Sequence, residues 1–290
     1  MGTSSSSRGP GSNVPFIPPW VPPLPPPMPP PPDQDAQPPG DGDGDDNSPQ
    51  PSPAPSPPPA PSPQLAPAGR FRSARTSLGH FARTGNRDDL KRGLGHYTAT
   101  GLGGSGRATQ RLARTAVNAG RLYGMLSALS SGSPLPPDVA IDPATLAGRP
   151  AREVADEIAR ALQPPDGTQD AEVSRDSISR ALSELLATDP GADMLSLSTD
   201  QIEFITQVYV GEDLCRRVDL DIGKTVIDKA PTPAEGQVRL EDMKTYVRQE
   251  VARIFRARSD RGQRMTRQNA ASLASAVLQT TFEVFEEYLR

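Results

Sequence analysis

Few residues in this chain combine a type and a spacing that chemistry could use. Gly101-Leu102-Gly103-Gly104-Ser105-Gly106 matches the G-x-G-x-x-G pattern and precedes a helical stretch. A dinucleotide site needs a strand before that turn and an acid about 20 residues beyond it for the ribose. Here GHYTAT precedes the turn, and no Asp or Glu occurs between Asp89 and Asp138. The segment therefore reads as a flexible joint between two helices, with exposed amides that could attract an anion. Gly223-Lys224-Thr225 matches the end of a Walker A loop, but Val218 stands where the loop's first glycine belongs. His80 and His96 are the only histidines and Cys215 the only cysteine, so no metal-ligand spacing is present and no internal disulfide can form. Cys215 reads as a small buried apolar residue. The carboxylates are scattered as on solvated helix faces. No motif specifies catalysis, so the expectation is a non-enzymatic protein without cofactor or metal.

The strongest chemical signal is charge. Between Gly69 and Gly124 lie eleven basic residues (Arg70, Arg72, Arg75, Arg83, Arg87, Lys91, Arg92, Arg107, Arg111, Arg114 and Arg121) against Asp88 and Asp89. This local net charge of +9 sits in a chain whose total is −4. The functional reading of such a block is polyanion binding, to nucleic acid through its phosphates or to an acidic protein face, and the bland one is a solvated surface with no partner. It could also pair internally, because residues 125–290 carry a net −8.

The elements that would position these residues read as helices. Asn86 can cap a helix whose first turn holds Asp88 and Asp89, with Gly93, Gly95 and Gly101 shortening or weakening it. A better helix begins near Ser105, with Ala108, Leu112, Ala116, Ala119, Leu122 and Leu126 at helical spacing, and ends at Ser130-Ser131-Gly132. Pro150 reads as the first residue of the next, and Asp170 as the cap of the one after. Ser198 with Gln201 forms a capping-box pattern. A short helix is expected over Asp221 to Lys229. The last two are lined by Leu240, Met243, Val247, Val251 and Ile254, with Glu241 and Asp242 at the start, and by an apolar arc from Gln268 to Leu289. The fold class is all-α: a helical bundle-like body preceded by a long disordered Pro-rich N-terminal tail. The expected divisions are a tail over 1–68, a basic Gly/Arg-rich helical segment over 69–132 and an α-helical domain over 133–290.

The tail follows from composition. Of the 35 prolines, 25 lie between Pro10 and Pro67. Val14 to Pro32 favours polyproline II, and Asp33 to Pro67 carries six Asp and no Lys or Arg. Such segments bury too little apolar surface to offset chain entropy. The tail reads either as a plain spacer or, because Trp20, the only tryptophan, sits among its prolines, as a recognition segment anchored by that residue. No secretory signal and no apolar run long enough for a bilayer are legible, so a cytoplasmic protein without membrane contact is expected.

Three features together resemble a known family. The chain opens MGTSSS, a GPGSNVPFIPPWVP segment follows, and GRFRSARTSLGHFARTGNRDDLKRGLGHYTATGLGGSG runs into an arginine-rich helix. This is similar to QatB, the component of the Qat anti-phage defence system with no assigned enzymatic fold, over residues 1–21 and about 69–126. The resemblance implies a bacterial immunity protein working beside a KAP-type P-loop ATPase, a 7-cyano-7-deazaguanine-synthase-like enzyme and a TatD-like nuclease. It further implies that the chain is a modification target, with a deazaguanine joined to Gly2 by the queuosine-pathway-like partner. Once Met1 is removed, Gly2 would offer an α-amine titrating near pH 8, against about 10.4 for lysine. Residues 3–68 would reach about 200 Å if all were polyproline II at about 3.1 Å each. The expected function is that of an adaptor and Gly2 substrate, with Trp20, Arg70, Arg72, Arg75, Arg83, Arg87, Lys91 and Arg92 binding partners. The alternative is a nucleic-acid-binding protein using the basic 69–124 block.

Overall fold

Helices account for the regular structure of the computed structural model, and no strand occurs among the described residues. Those residues are 69–136, 139, 141–164 and 167–290, all within the compact unit Pro63–Arg290. The expected disordered tail, with Gly2 and Trp20, lies outside them.

The order is α1 (Arg72–Thr84), α2 (Arg87–His96), α3 (Ser105–Arg111), α4 (Ala113–Ser131), α5 (Ala151–Leu162), α6 (Gln169–Thr188), α7 (Thr199–Val218), α8 (Lys224–Lys229), α9 (Pro233–Ser259) and α10 (Ala270–Glu287). Wide π-type turns join α2 to α3 over Tyr97–Leu102 and α7 to α8 over Asp219–Gly223. Several caps agree with the sequence reading. The Asn86 side chain accepts from the Asp88 amide at 2.8 Å, and Ser198 and Gln201 make the reciprocal bonds of a capping box. Others differ. Thr168, not Asp170, caps α6, leaving Asp170 in the first turn. Pro150 stands one residue before α5. The helix expected to start near Glu241 starts at Pro233, because Thr232 caps it and proline suits a first turn whose amides lack partners anyway. The short helix expected from Asp221 begins at Lys224, after the wide turn.

One apolar core runs from Phe71 to Phe285. Helix α7 packs against α4, α6 and α9, while α10 packs against α2, α3, α4 and α9, and α1 against α2 and α8. The first helices are seated by small residues. A Cβ on Gly93 would lie 2.6 Å from Leu78 Cγ, and one on Gly120 would lie 2.9 Å from Ala271 Cβ. These glycines, which weaken an isolated helix, let α2 lie against α1 and α4 against α10.

A buried polar layer fixes α4 on its neighbours. Asp213 is fully buried on α7 and accepts from Thr115 Oγ1 of α4. It also accepts from Arg217 Nε at 2.9 Å, and Arg217 reaches Asp170 at 3.0 Å. Alongside, Asn118 Nδ2 donates to Ser174 Oγ at 2.8 Å, and Ser174 Oγ lies 2.9 Å from the Tyr209 hydroxyl. Burial, and next the Asp213 charge, push the Tyr209 phenol far above its ordinary value, so it stays protonated.

Two predictions test this packing by urea denaturation. Gly93→Ala should cost about 1–3 kcal/mol through overpacking against Leu78, whereas Gly124→Ala, whose Cβ would meet open space, should gain about 0.5–1 kcal/mol from helix propensity. Asp213→Ala should cost about 3–5 kcal/mol, since it removes the acceptor of Thr115 and leaves Arg217 only the exposed Asp170; a loss below 1 kcal/mol would show that Asp213 does not hold α4 on α7.

Candidate functional site

The basic segment is organised by a single acid from the far half of the chain. Asp221, in the turn between α7 and α8, accepts from the Tyr97 hydroxyl at 3.0 Å and lies 3.9 Å from Arg70. Its main-chain carbonyl accepts from Arg75 at 3.1 Å. Tyr97 is buried and stacks on Phe71, with ring centroids 5.4 Å apart, and the Arg70 guanidinium covers the other ring at 4.5 Å. Burial, reinforced by Asp221, holds the Tyr97 phenol well above its usual value, so it remains a donor.

The predicted partner-binding residues fall into two groups. Arg70 and Arg75 face Asp221, Arg92 lies 3.6 Å from Asp89, and Lys91 Nζ sits 5.6 Å from the Tyr288 ring. Arg72, Arg83 and Arg87 are exposed and meet no carboxylate among the described residues. Arg107, Arg111 and Arg114 on α3 and α4 are likewise exposed and without an ion pair there. Arg121 is half-buried and donates to the Leu162 carbonyl at 3.1 Å.

Between α1 and α8 lies a groove of about 450 Å³, lined by Arg72, Arg75, His80 and Arg83 from one helix and Thr225 and Lys229 from the other. Gly79 forms its floor. A Cβ there would lie 3.5 Å from Lys229 Cγ and 3.8 Å from Arg83 Nη1, so the Lys229 stem and the Arg83 guanidinium meet over the same spot. Sequence reading missed Lys229 and Asp221. Their charges were visible, but their approach to α1 depends on contacts more than 140 residues apart.

The motifs weighed for catalysis have packing roles. Gly103 and Gly104 have φ of 82° and 99°, a backbone that lets the chain turn between the π-type turn and α3. A Cβ on Gly101 would strike the Phe71 ring. The Ser105 amide at the start of α3 donates to Glu286 Oε1 at 2.9 Å, so a carboxylate of the protein takes the place a phosphate would need. A π-type turn, not a strand, precedes the motif. Gly223 closes the wide turn over the Asp219 side chain, while Lys224 and Thr225 open α8. Cys215 is buried, donates to the Lys244 carbonyl at 3.3 Å and has its thiol pKa pushed far up by burial, which makes it unreactive. His80 is exposed on α1, and His96 ends α2. No group of His, Cys, Asp and Glu suited to a metal ion occurs among the described residues, nor any helix long and apolar enough to cross a membrane.

No curated protein and no solved structure matches the chain. A family model does, that of the Qat anti-phage system associated protein QatB, over residues 103–285. The matched span begins at the turn before α3 and ends within α10, covering α3 to α9 and most of α10. Gly2, Trp20 and the groove-lining face of α1 lie outside it. The match takes in more than half of the chain, and the protein belongs to the QatB family of the Qat anti-phage defence system.

Proposed function

We propose that this component of an anti-phage system works as a non-enzymatic cytoplasmic adaptor and as the substrate of a modifying partner. In this reading the helical body docks the other Qat components: a KAP-type P-loop ATPase, a 7-cyano-7-deazaguanine-synthase-like enzyme and a TatD-like nuclease. The enzyme joins a deazaguanine to the Gly2 amine. The observation that supports docking is the outward face of α1 and α2. Arg72, Arg83 and Arg87 stay exposed with no carboxylate among the described residues, although the body as a whole is rich in acids. Arg70, Arg75, Lys91 and Arg92 flank that face, and Trp20 supplies an aromatic anchor in the proline-rich segment. Support for Gly2 comes from family membership together with the lower basicity of an α-amine relative to lysine.

A second reading is nucleic-acid binding by the basic 69–124 block. The same unpaired cations favour it, joined by Lys229 across the groove.

Two experiments test the first reading. In material co-expressed with the cognate enzyme and active in defence, intact mass and N-terminal peptide sequencing should place the adduct on Gly2; an unmodified Gly2 would end the substrate reading. Replacing Arg72, Arg75 and Arg83 with Glu should abolish nuclease-resistant co-purification with the other Qat proteins while the helical circular-dichroism signal stays unchanged. Retained co-purification would remove the docking role from this face.

A further inference from the structure

We infer that the groove between α1 and α8 is a binding site for duplex nucleic acid, held through backbone phosphates without regard to sequence. This rests on reading the basic segment as a polyanion-binding face and names its ligand. The cations lie along one side of α1: Arg72, Arg75, His80 and Arg83 recur at i, i+3, i+8 and i+11, opposite the buried Ala74, Leu78, Phe81 and Ala82. Eleven residues of helix span about 16 Å at about 1.5 Å each. That length faces about five phosphates of one duplex strand at roughly 3.4 Å per phosphate along the axis.

A charged outer face is ordinary on a surface helix, but this one differs from its neighbours. On several other helices an arginine pairs with an acid three or four positions away, Arg160 with Glu157, Arg180 with Asp176, Arg239 with Asp242 and Arg253 with Glu250, although Arg107, Arg111 and Arg114 do not. The α1 row has no acid among its members, and the residue brought against it from 150 positions away is another cation, Lys229. Acids do lie nearby. Asp221 is engaged by Tyr97 and Arg70, and Asp228 is exposed on α8 without lining the groove. Arg83 and Lys229 line one groove with no acid among its lining residues, an arrangement that is unfavourable in the free protein and becomes favourable when an anion bridges the two charges.

The lining suits phosphates and separates duplex from single strand. Apart from the charged groups it offers only Gly69, Thr76, Gly79 and Thr225, with His80 as its only ring. A protein docked on this face would draw its apolar or aromatic anchor from outside the groove, since none is formed in it. Single strands are held by bases stacking on aromatic side chains, whereas Phe71 and Tyr97 are buried. Phosphates need neither feature. Thr225 can donate its hydroxyl to a phosphate oxygen.

The full-length protein should bind a fluorescent 20-base-pair DNA duplex in an anisotropy titration. With about four permanent cations engaged, the slope of log K against log salt should be about −3 to −4, a loss of roughly 100-fold between 50 and 200 mM salt. Two unrelated sequences should bind alike, and a dT20 strand roughly tenfold more weakly. Duplex RNA run in parallel identifies which duplex is preferred. The double variant Arg83→Ala/Lys229→Ala should flatten the slope by about two, with its helical circular-dichroism signal unchanged. The triple variant Arg107→Ala/Arg111→Ala/Arg114→Ala should bind as the parent does. Absence of binding at 50 mM salt, an unchanged slope in the double variant, or displacement of DNA by poly-glutamate at equal charge would each overturn the inference. Nuclease-resistant co-purification of the other Qat proteins is scored separately: its persistence alongside any of these failures would leave the docking reading standing and remove only the nucleic-acid site.

Discussion

Asp221 is the contact on which the arrangement of the basic segment depends. One carboxylate receives the Tyr97 hydroxyl and faces Arg70, while the carbonyl of the same residue receives Arg75. These bonds tie the start of α1 and the end of α2 to the turn between α7 and α8. With that turn in place, α8 lies beside α1, and Lys229 arrives over Gly79. The anchoring consumes part of the positive charge of the segment and orients the rest. Arg70 faces its carboxylate and Arg75 reaches its carbonyl while staying exposed along the groove, whereas Arg72 and Arg83 of α1 do not contact it.

The helical body is assembled by two different kinds of constraint. Apolar burial supplies the driving force but little direction, because Ala, Leu, Val and Ile side chains can interlock in many ways. Direction comes from the polar layer of Thr115, Asn118, Ser174, Tyr209, Asp213 and Arg217, whose hydrogen bonds are met in one relative placement of α4, α6 and α7. A buried charge left without its partner is costly, so shifted packings are disfavoured. The close-set glycines act in the same sense. Gly93 and Gly120 allow contact distances that a shifted helix could not repeat along its length.

Local features of the fold were legible in the sequence. Asn86, and Ser198 with Gln201, stop and start helices through bonds to their own neighbours, which spacing alone reveals. Helix α1 was not legible: its N-cap residue, Phe71, makes no side-chain cap, and charges dilute its apolar stripe of Ala74, Leu78 and Phe81. Helix α9 starts about eight residues before its apolar stripe implies, because its first turns are largely exposed, although Thr232-Pro233 is a start signal in itself. Of the candidate site, the excess of positive charge could be seen directly. The division between paired and free arginines could not, because Asp221 and Lys229 reach α1 only through tertiary packing, and pairing across 146 residues leaves no periodic trace.

The seating of α10 has a consequence for the order in which the protein can form. Its contacts reach back to α2, α3 and α4, as in the Ser105–Glu286 bond across 181 residues and the Thr109–Gln279 bond across 170. A ribosome adding about 5–20 residues per second needs roughly 10–35 s to make the intervening chain. Throughout that interval the apolar sides of α3 and α4 have no α10 to cover them. The basic segment is thus synthesised early and completed late, and its maturation is timed by translation of a helix from the other end of the fold.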